Sequence, residues 1–283
     1  MIRRRSRGAC GARYALAAVA AHVETIRSST HPLLKRARAA AAGREEGVLV
    51  LEGDRLVDEA HRAGFVLEAV LVAEERVERL AELVRAGLDV RAVQAAVLAG
   101  ASALETSPGC LALAREPAAR ALTELSPAAD ALVAAAAGIQ DPGNLGALAR
   151  TAEAAGAAAL LVTRGGCRPW NVKALRGSMG SLLRLPVVEI EPTHASVEEL
   201  AAQGFRHVCA RTRGGRTFDE FDWSGRVVLW LAAETGEFPG ELARCAGRFE
   251  GVSIPMHGAA ESLNVTAAGA VLLFAARRSV GAP

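Results

Sequence analysis

The chain has 283 residues, 51% of them hydrophobic and 23% charged, which excludes a disordered polypeptide and suggests about two domains. No stretch approaches the roughly 18 apolar residues of a membrane-spanning helix. A net charge of +2 permits nucleic-acid binding but does not argue for it, so an RNA-binding surface must come from local clustering. The five cysteines (Cys10, Cys110, Cys167, Cys209 and Cys245) form no CxxC pair and no zinc-spaced Cys/His cluster, a pattern of reduced thiols in a cytoplasmic protein.

Residues 1–28 read as a basic tail, or as a start placed too early. Arg3–Arg7 precede the apolar Tyr14–Ala21, and a short signal peptide is the competing reading. Residues 29–116 alternate strand and helix. A helix with a basic face is expected over 33–44, then strand 47–53, helix 54–64, strand 67–75 and helix 76–87. A short strand in "LDVRAV", a short helix at 93–100 and a strand over 108–116 complete a small α/β sandwich. Pro117 and Pro127 punctuate 117–130, which is expected to be a linker.

From 131 to 283 strands again alternate with helices: strand 131–139, helix 144–156, strand 157–164, helix 172–182 and strand 184–190. Helix 195–204, strand 205–212, strand 225–234, helix 239–247, strand 251–256 and helix 262–278 follow. That order implies an α/β fold with a mostly parallel sheet covered on both faces.

Three segments here can carry chemistry. In "IQDPGNLGALARTAEAAG" (139–156) a buried strand runs into a turn, Asn144 is a candidate helix cap, and Arg150 lies off the apolar stripe. Loops at the carboxyl ends of parallel strands bind ligands; the plainer reading is a turn with one solvated arginine. In "VVLWLAAETGEF" (227–238) small residues precede Glu234, which can orient a nearby arginine or hydroxyl or stand as an ordinary exposed acid. In "VSIPMHGAAESLNVTAAGAVLLFAARR" (252–278) Pro255 turns the strand into a loop, and Ser262 is expected to cap a helix that buries Leu263, Ala267, Ala270 and Val271. Asn264 would fall in that helix's first turn. No GxGxxG, GK[ST] or GxSxG motif is present, which argues against dinucleotide, P-loop and serine-hydrolase chemistry.

In this order the segments resemble the three motifs of the SpoU-type RNA 2′-O-ribose methyltransferases of the SPOUT superfamily, and "KALRGSMGSLLRLPV" (173–187) resembles the link between the first two. The likeness covers about 130–280. "EGDRLVDEAHRAG" is similar to the ribosomal-protein-L30e-like N-terminal domain of such enzymes. The resemblance implies a parallel-sheet domain with a C-terminal trefoil knot, preceded by a smaller L30e-like sandwich that binds RNA. It also implies a homodimer that uses S-adenosylmethionine and no metal.

The resemblance places the cofactor against Leu231, Ala232, Ala233, Glu234, Ile254, Met256, Leu263, Asn264 and Ala267. The catalytic set it implies is Asn144, Arg150, Glu234, Ser262 and Asn264. The family assigns its arginine to activating the ribose hydroxyl. A guanidinium with a pKa above ~12 is a poor base, so Arg150 is expected to hold a phosphate or stabilise alkoxide charge, oriented by Glu234 and Asn144. RNA phosphates are expected to meet Arg3–Arg7, Lys35, Arg36, Arg38, Arg44 and Arg150. The two-domain layout favours large-subunit (23S) ribosomal RNA as substrate, with tRNA and a non-catalytic RNA-binding assembly factor as alternatives. The family's second motif has Gly before its acid, and this chain has Ala232-Ala233-Glu234. An alanine where φ is positive would be strained, so cofactor affinity is expected to differ at this loop.

Overall fold

The computed structural model describes residues 23–125, 128–233 and 237–279. The chain divides into two units at Pro117/Ala118. The tail call falls largely outside the described residues, Arg3–Arg7 and Cys10 included, and so does Glu234.

The first unit is a five-stranded mixed sheet in the order β1-β4-β3-β5-β2. Its strands are β1 (Thr25–Ile26), β2 (Val48–Glu52), β3 (Leu67–Ala73), β4 (Val90–Val93) and β5 (Cys110–Arg115). The helices are α1 (Pro32–Ala41), α2 (Asp54–Arg62), α3 (Val77–Arg85) and α4 (Ala95–Ala99). β5 lies antiparallel between β2 and β3, whereas β3, β4 and β1 run parallel. One expectation is corrected here: Thr25 and Ile26, assigned to the tail, pair with Ala92 and Val93, and Ile26 is buried. A two-residue edge strand is too short for sequence alternation to reveal.

The second unit carries seven parallel strands in the order β10-β12-β9-β11-β6-β7-β8. They are β6 (Leu132–Ala137), β7 (Ala159–Thr163), β8 (Val187–Ile190), β9 (Arg206–Arg211), β10 (Arg216–Thr217), β11 (Val227–Ala232) and β12 (Glu250–Ser253). The helices are α5 (Pro142–Ala154), α6 (Val172–Gly177), α7 (Ser181–Arg184), α8 (His194–Ala202), α9 (Leu242–Cys245) and α10 (Val265–Ser279). Both sheet faces are buried, as continuous apolar strands require. On one face Val133, Ala135, Leu161, Val188, Val228 and the fully buried Trp230 pack with Val197 and Leu200 of α8 and Leu242 of α9. The run of alanines in β6 keeps the sheet centre thin, and every residue of the strand is buried. Leu122 and Leu125, in the stretch expected to be a linker, belong to this same core.

Three local expectations are corrected. The helix expected over 172–182 is two short helices, because Met179 and Gly180 take φ of 53° and 96°. Successive left-handed residues cannot continue a right-handed helix. α5 starts at Pro142, two residues before Asn144. Asp141 is its cap, accepting the Asn144 N–H at 2.7 Å, and Pro142 suits the first helical position. The last helix starts at Val265 and its cap is Asn264, not Ser262: Asn264 Oδ1 accepts the Thr266 N–H at 2.9 Å and the Thr266 hydroxyl at 2.5 Å.

Glycine sets two close approaches. A Cβ on Gly146 of α5 would lie 2.4 Å from the Ala174 carbonyl oxygen and 2.8 Å from the Ser178 nitrogen, so only glycine lets α5 meet the α6 backbone. A Cβ on Gly269 would lie 3.0 Å from Leu148 and 3.1 Å from Leu231, which marks where α10 seats on α5 and β11.

Candidate active site

In the strand order, chain direction reverses its progress between β6 and β11. From β6 the chain steps outward through β7 and β8; β11, β9, β12 and β10 occupy the other side. Loops leaving the carboxyl ends on the two sides diverge, and the crevice between them is where parallel sheets hold ligands.

A cleft lies on the β11 side of this switch, at the carboxyl ends of β9, β11 and β12. Three neighbouring strand ends supply its floor: Ala210, Arg211 and Thr212 from β9, Leu231, Ala232 and Ala233 from β11, and Val252 and Ile254 from β12. The loop residues Met256, Glu261, Ser262 and Leu263 form the rim, and Val265, Ala268 and Leu272 of α10 form the wall. It encloses about 690 Å³, with the open space at its mouth included.

The lining is chiefly apolar, with two charged side chains. Arg211 is held in place, its Nη2 donating to the Ala246 carbonyl at 3.1 Å and its Nε to Cys209 Sγ at 3.3 Å. Glu261 is exposed on the rim and also faces a second, polar recess formed with Thr212, Arg213 and Ser253. Glu261 sets a carboxylate at the rim; the Arg211 guanidinium turns with Cys209 toward Ala246, on the sheet face away from α10.

Beside the cleft the starts of two helices meet. Asn264 Nδ2 donates to Asn144 Oδ1 at 3.2 Å, joining residues 120 positions apart in the chain. The orientation of the Asn264 amide follows from its cap: Oδ1 must face the Thr266 N–H, so Nδ2 is left to face Asn144. Free N–H groups at both helix starts make this a favourable place for negative charge.

Of the cofactor residues expected from sequence, Leu231, Ala232, Ala233, Ile254, Met256 and Leu263 line the cleft. Asn264 stands beside it and Ala267 is exposed outside the lining. Of the catalytic residues, Ser262 is on the rim and Asn144 and Asn264 are bonded to each other. Arg150 is exposed in the third turn of α5, with no side-chain hydrogen bond or ion pair among the described residues; the structure does not bond it to Asn144.

The expected RNA-binding residues divide. Lys35 and Arg44 are exposed. Arg36 is bound by Glu45 at 2.7 Å and Glu68 at 3.0 Å, which raise its pKa, and Arg38 donates to the Ser29 carbonyl at 2.7 Å. Sequence reasoning missed Ala210, Arg211, Thr212 and Glu261. The strand over 205–212 was foreseen, but its insertion between β11 and β12 was not, and that placement brings its end into the cleft.

Residues 131–274, half of the chain, match the SpoU rRNA Methylase family. The chain belongs to the SpoU rRNA methylase family. Residues 33–112 of this SpoU chain match an MRM3-like substrate binding domain. It is 29% identical over 226 residues to the Bacillus subtilis 23S rRNA (guanosine(2553)-2′-O)-methyltransferase RlmP, covering 80% of this chain and 86% of the relative. It is 34% identical over 232 residues to the 23S rRNA (guanosine-2′-O-)-methyltransferase RlmB of Xanthomonas campestris, covering 78% and 92%. The crystal structure of an AdoMet-bound rRNA methyltransferase from Sinorhizobium meliloti superposes with a TM-score of 0.78 at 25% identity, over 92% of this chain and 99% of that one.

The SpoU motif departure at Ala232-Ala233 brings no backbone strain. Met179 is the one non-glycine residue with positive φ among the described residues, so both alanines sit in ordinary conformations. Ala232 ends β11, and the Ala233 N–H donates to the Ala137 carbonyl at 3.1 Å.

Proposed function

We propose that this protein transfers a methyl group from S-adenosylmethionine to a ribose 2′-hydroxyl of 23S ribosomal RNA. The observation that carries the reading is the cleft at the carboxyl ends of β9, β11 and β12, with the Asn144–Asn264 bond beside it. Its residues suit the cofactor. Small apolar side chains at Ala210, Ala232, Ala233 and Ala268 admit a flat ring close to backbone. Glu261 suits the cationic end of an amino-acid moiety. When bound, S-adenosylmethionine supplies an electrophilic methyl group on a sulfonium.

The protein's own contribution is then positioning and charge. Ser262 and Asn264 hold the ribose hydroxyl in line, and confinement of this kind removes much of the barrier. A guanidinium is a poor base, so the task of Arg150 is to stabilise the negative charge that develops on the 2′-oxygen or to fix the adjacent phosphate. Glu234 and Asn144 are assigned to orienting it.

RNA recognition is assigned to the first unit, which ends at Pro117, and methyl transfer to the second, which begins at Ala118. The return of the chain from β12 to α10, packed against α5 and β11 at Gly269, suits a trefoil knot. A homodimer is proposed through the outer stripe of α10, where Phe274 is 52% and Leu263 41% exposed and Ala267 lies between them. Action on ribosomal RNA places the protein in the cytoplasm.

The test is incubation with methyl-labelled S-adenosylmethionine and, separately, unmodified 23S rRNA, 16S rRNA and tRNA. Label is expected in 23S rRNA. Label in tRNA alone would replace the substrate assignment, and no label in any RNA would overturn the catalytic reading.

A further inference from the structure

Outside the cleft, the methyltransferase unit carries a cationic surface on α5 and α6, in the first motif segment and the link that follows it. α5 and α6 touch backbone to backbone: a Cβ on Gly177 would lie 3.6 Å from the Gly143 carbonyl oxygen and 3.6 Å from the Gly146 Cα. With no side chain between them, the outer faces of the two helices merge into one surface. α6 buries Val172, Ala174 and Leu175 and turns Lys173 and Arg176 outward. On α5, Gly143, Ala147 and Arg150 form the stripe turned away from the sheet, and Arg150 is exposed at its far end.

The nearby carboxylates do not neutralise these cations. Asp141 is spent on capping α5, its Oδ1 accepting the Asn144 N–H at 2.7 Å. Glu153 is gripped by Arg184 through Nε at 2.6 Å and Nη2 at 2.8 Å, which lowers its pKa. Arg150, Lys173 and Arg176 have no side-chain hydrogen bond or ion pair among the described residues. By contrast Arg164 pairs with Glu191, and Arg206 with Glu250. Three exposed side-chain charges thus lack an ion-pair partner among the described residues: Lys173 and Arg176 on α6, and Arg150 on the 13-residue α5 that holds Asn144 to Asn264.

We infer that the merged outer face of α5 and α6, through Arg150, Lys173 and Arg176, is the surface on which the RNA backbone lands beside the cleft, so that phosphate contacts are made by the methyltransferase unit as well as by the N-terminal one. The inference rests on the RNA-methyltransferase reading and adds Lys173 and Arg176 to it. Phosphate contacts of this kind set register and carry no base information. They release counterions and make binding steeply salt-dependent.

The test is a salt titration of binding to a 23S rRNA transcript, with wild type, Lys173→Gln, Arg176→Gln and the double variant. Each single change is expected to weaken binding and to lower the slope of log K against log salt by about 0.7–0.9, the double by about twice that. Neither residue lines the cleft, so S-adenosylmethionine affinity should stay within about twofold, given the surface position of both changes. The charge-keeping double variant Lys173→Arg/Arg176→Lys should restore the slope. Variants that bind the cofactor normally and keep the wild-type RNA affinity and slope would overturn the inference while leaving the methyltransferase reading intact. Failure of the wild type itself to bind RNA would overturn both.

Discussion

Asn264 has two tasks that one pair of substitutions separates. Its Oδ1 caps α10 through the Thr266 N–H, and its Nδ2 donates to Asn144 at 3.2 Å. Serine is as good a cap as asparagine but too short to reach Asn144. Asn264→Ser should therefore keep the cap and cost no more than the lost bond to Asn144, whereas Asn264→Ala should cost about 1 kcal/mol beyond that. In a unit of this size ~1 kcal/mol is a fall in Tm of roughly 2–4 °C. For turnover, a neutral hydrogen bond is worth about 0.5–1.5 kcal/mol, so losing the bond to Asn144 should lower kcat/KM by about two- to tenfold in both variants. The assay pairs thermal unfolding with methyl transfer to 23S rRNA. If Asn264→Ser keeps full turnover, the Asn144–Asn264 bond is not part of the site. If Asn264→Ala unfolds at the wild-type temperature, Asn264 is not the cap.

Gly146→Ala should destabilise by about 1–3 kcal/mol, because its Cβ would meet backbone that cannot swing aside and overpacking outweighs alanine's better helix propensity; urea unfolding measures it. Phe274→Arg, on the outer stripe of α10, should shift the protein from dimer to monomer in analytical ultracentrifugation without loss of helicity. His207 accepts the Trp230 indole N–H on Nδ1 at 3.0 Å, and burial lowers its pKa below the usual 6.5. The unfolded chain then binds the proton more readily, so stability is present above pH 6.5 and falls as the pH drops from there toward the folded value. Unfolding from pH 8 to 5 should show this loss, and His207→Gln should flatten it.

Most of the element order was legible because most strands are short apolar runs closed by glycine or a cap, as in "LVAAAA" and "VVLWLA"; the two-residue β1 and β10 are too short to show a pattern. The strand order was not, since no local pattern says that β9 lies between β11 and β12. For that reason Arg211 and Thr212 were missed while Leu231 and Ile254 were found. α10 shows a second limit. Leu263, Ala267, Ala270 and Val271 were expected inside, but the buried side is Val265, Gly269, Leu272, Leu273 and Ala276. The helix is apolar all round, so periodicity could not choose a face. "SLN" likewise offers two capping residues, and only the backbone geometry selects Asn264. The uncompensated charges of α6 were invisible for another reason: whether a surface arginine has a partner depends on residues distant in sequence, as Arg184 with Glu153 illustrates.

The most direct test of the account is the chemical position of the transferred methyl group. 23S rRNA labelled by the protein would be hydrolysed completely in mild alkali, a cleavage that needs a free 2′-hydroxyl. The account expects the label in alkali-resistant dinucleotides, which only ribose 2′-O-methylation produces. Label recovered in mononucleotides would place the methyl group on a base and contradict it.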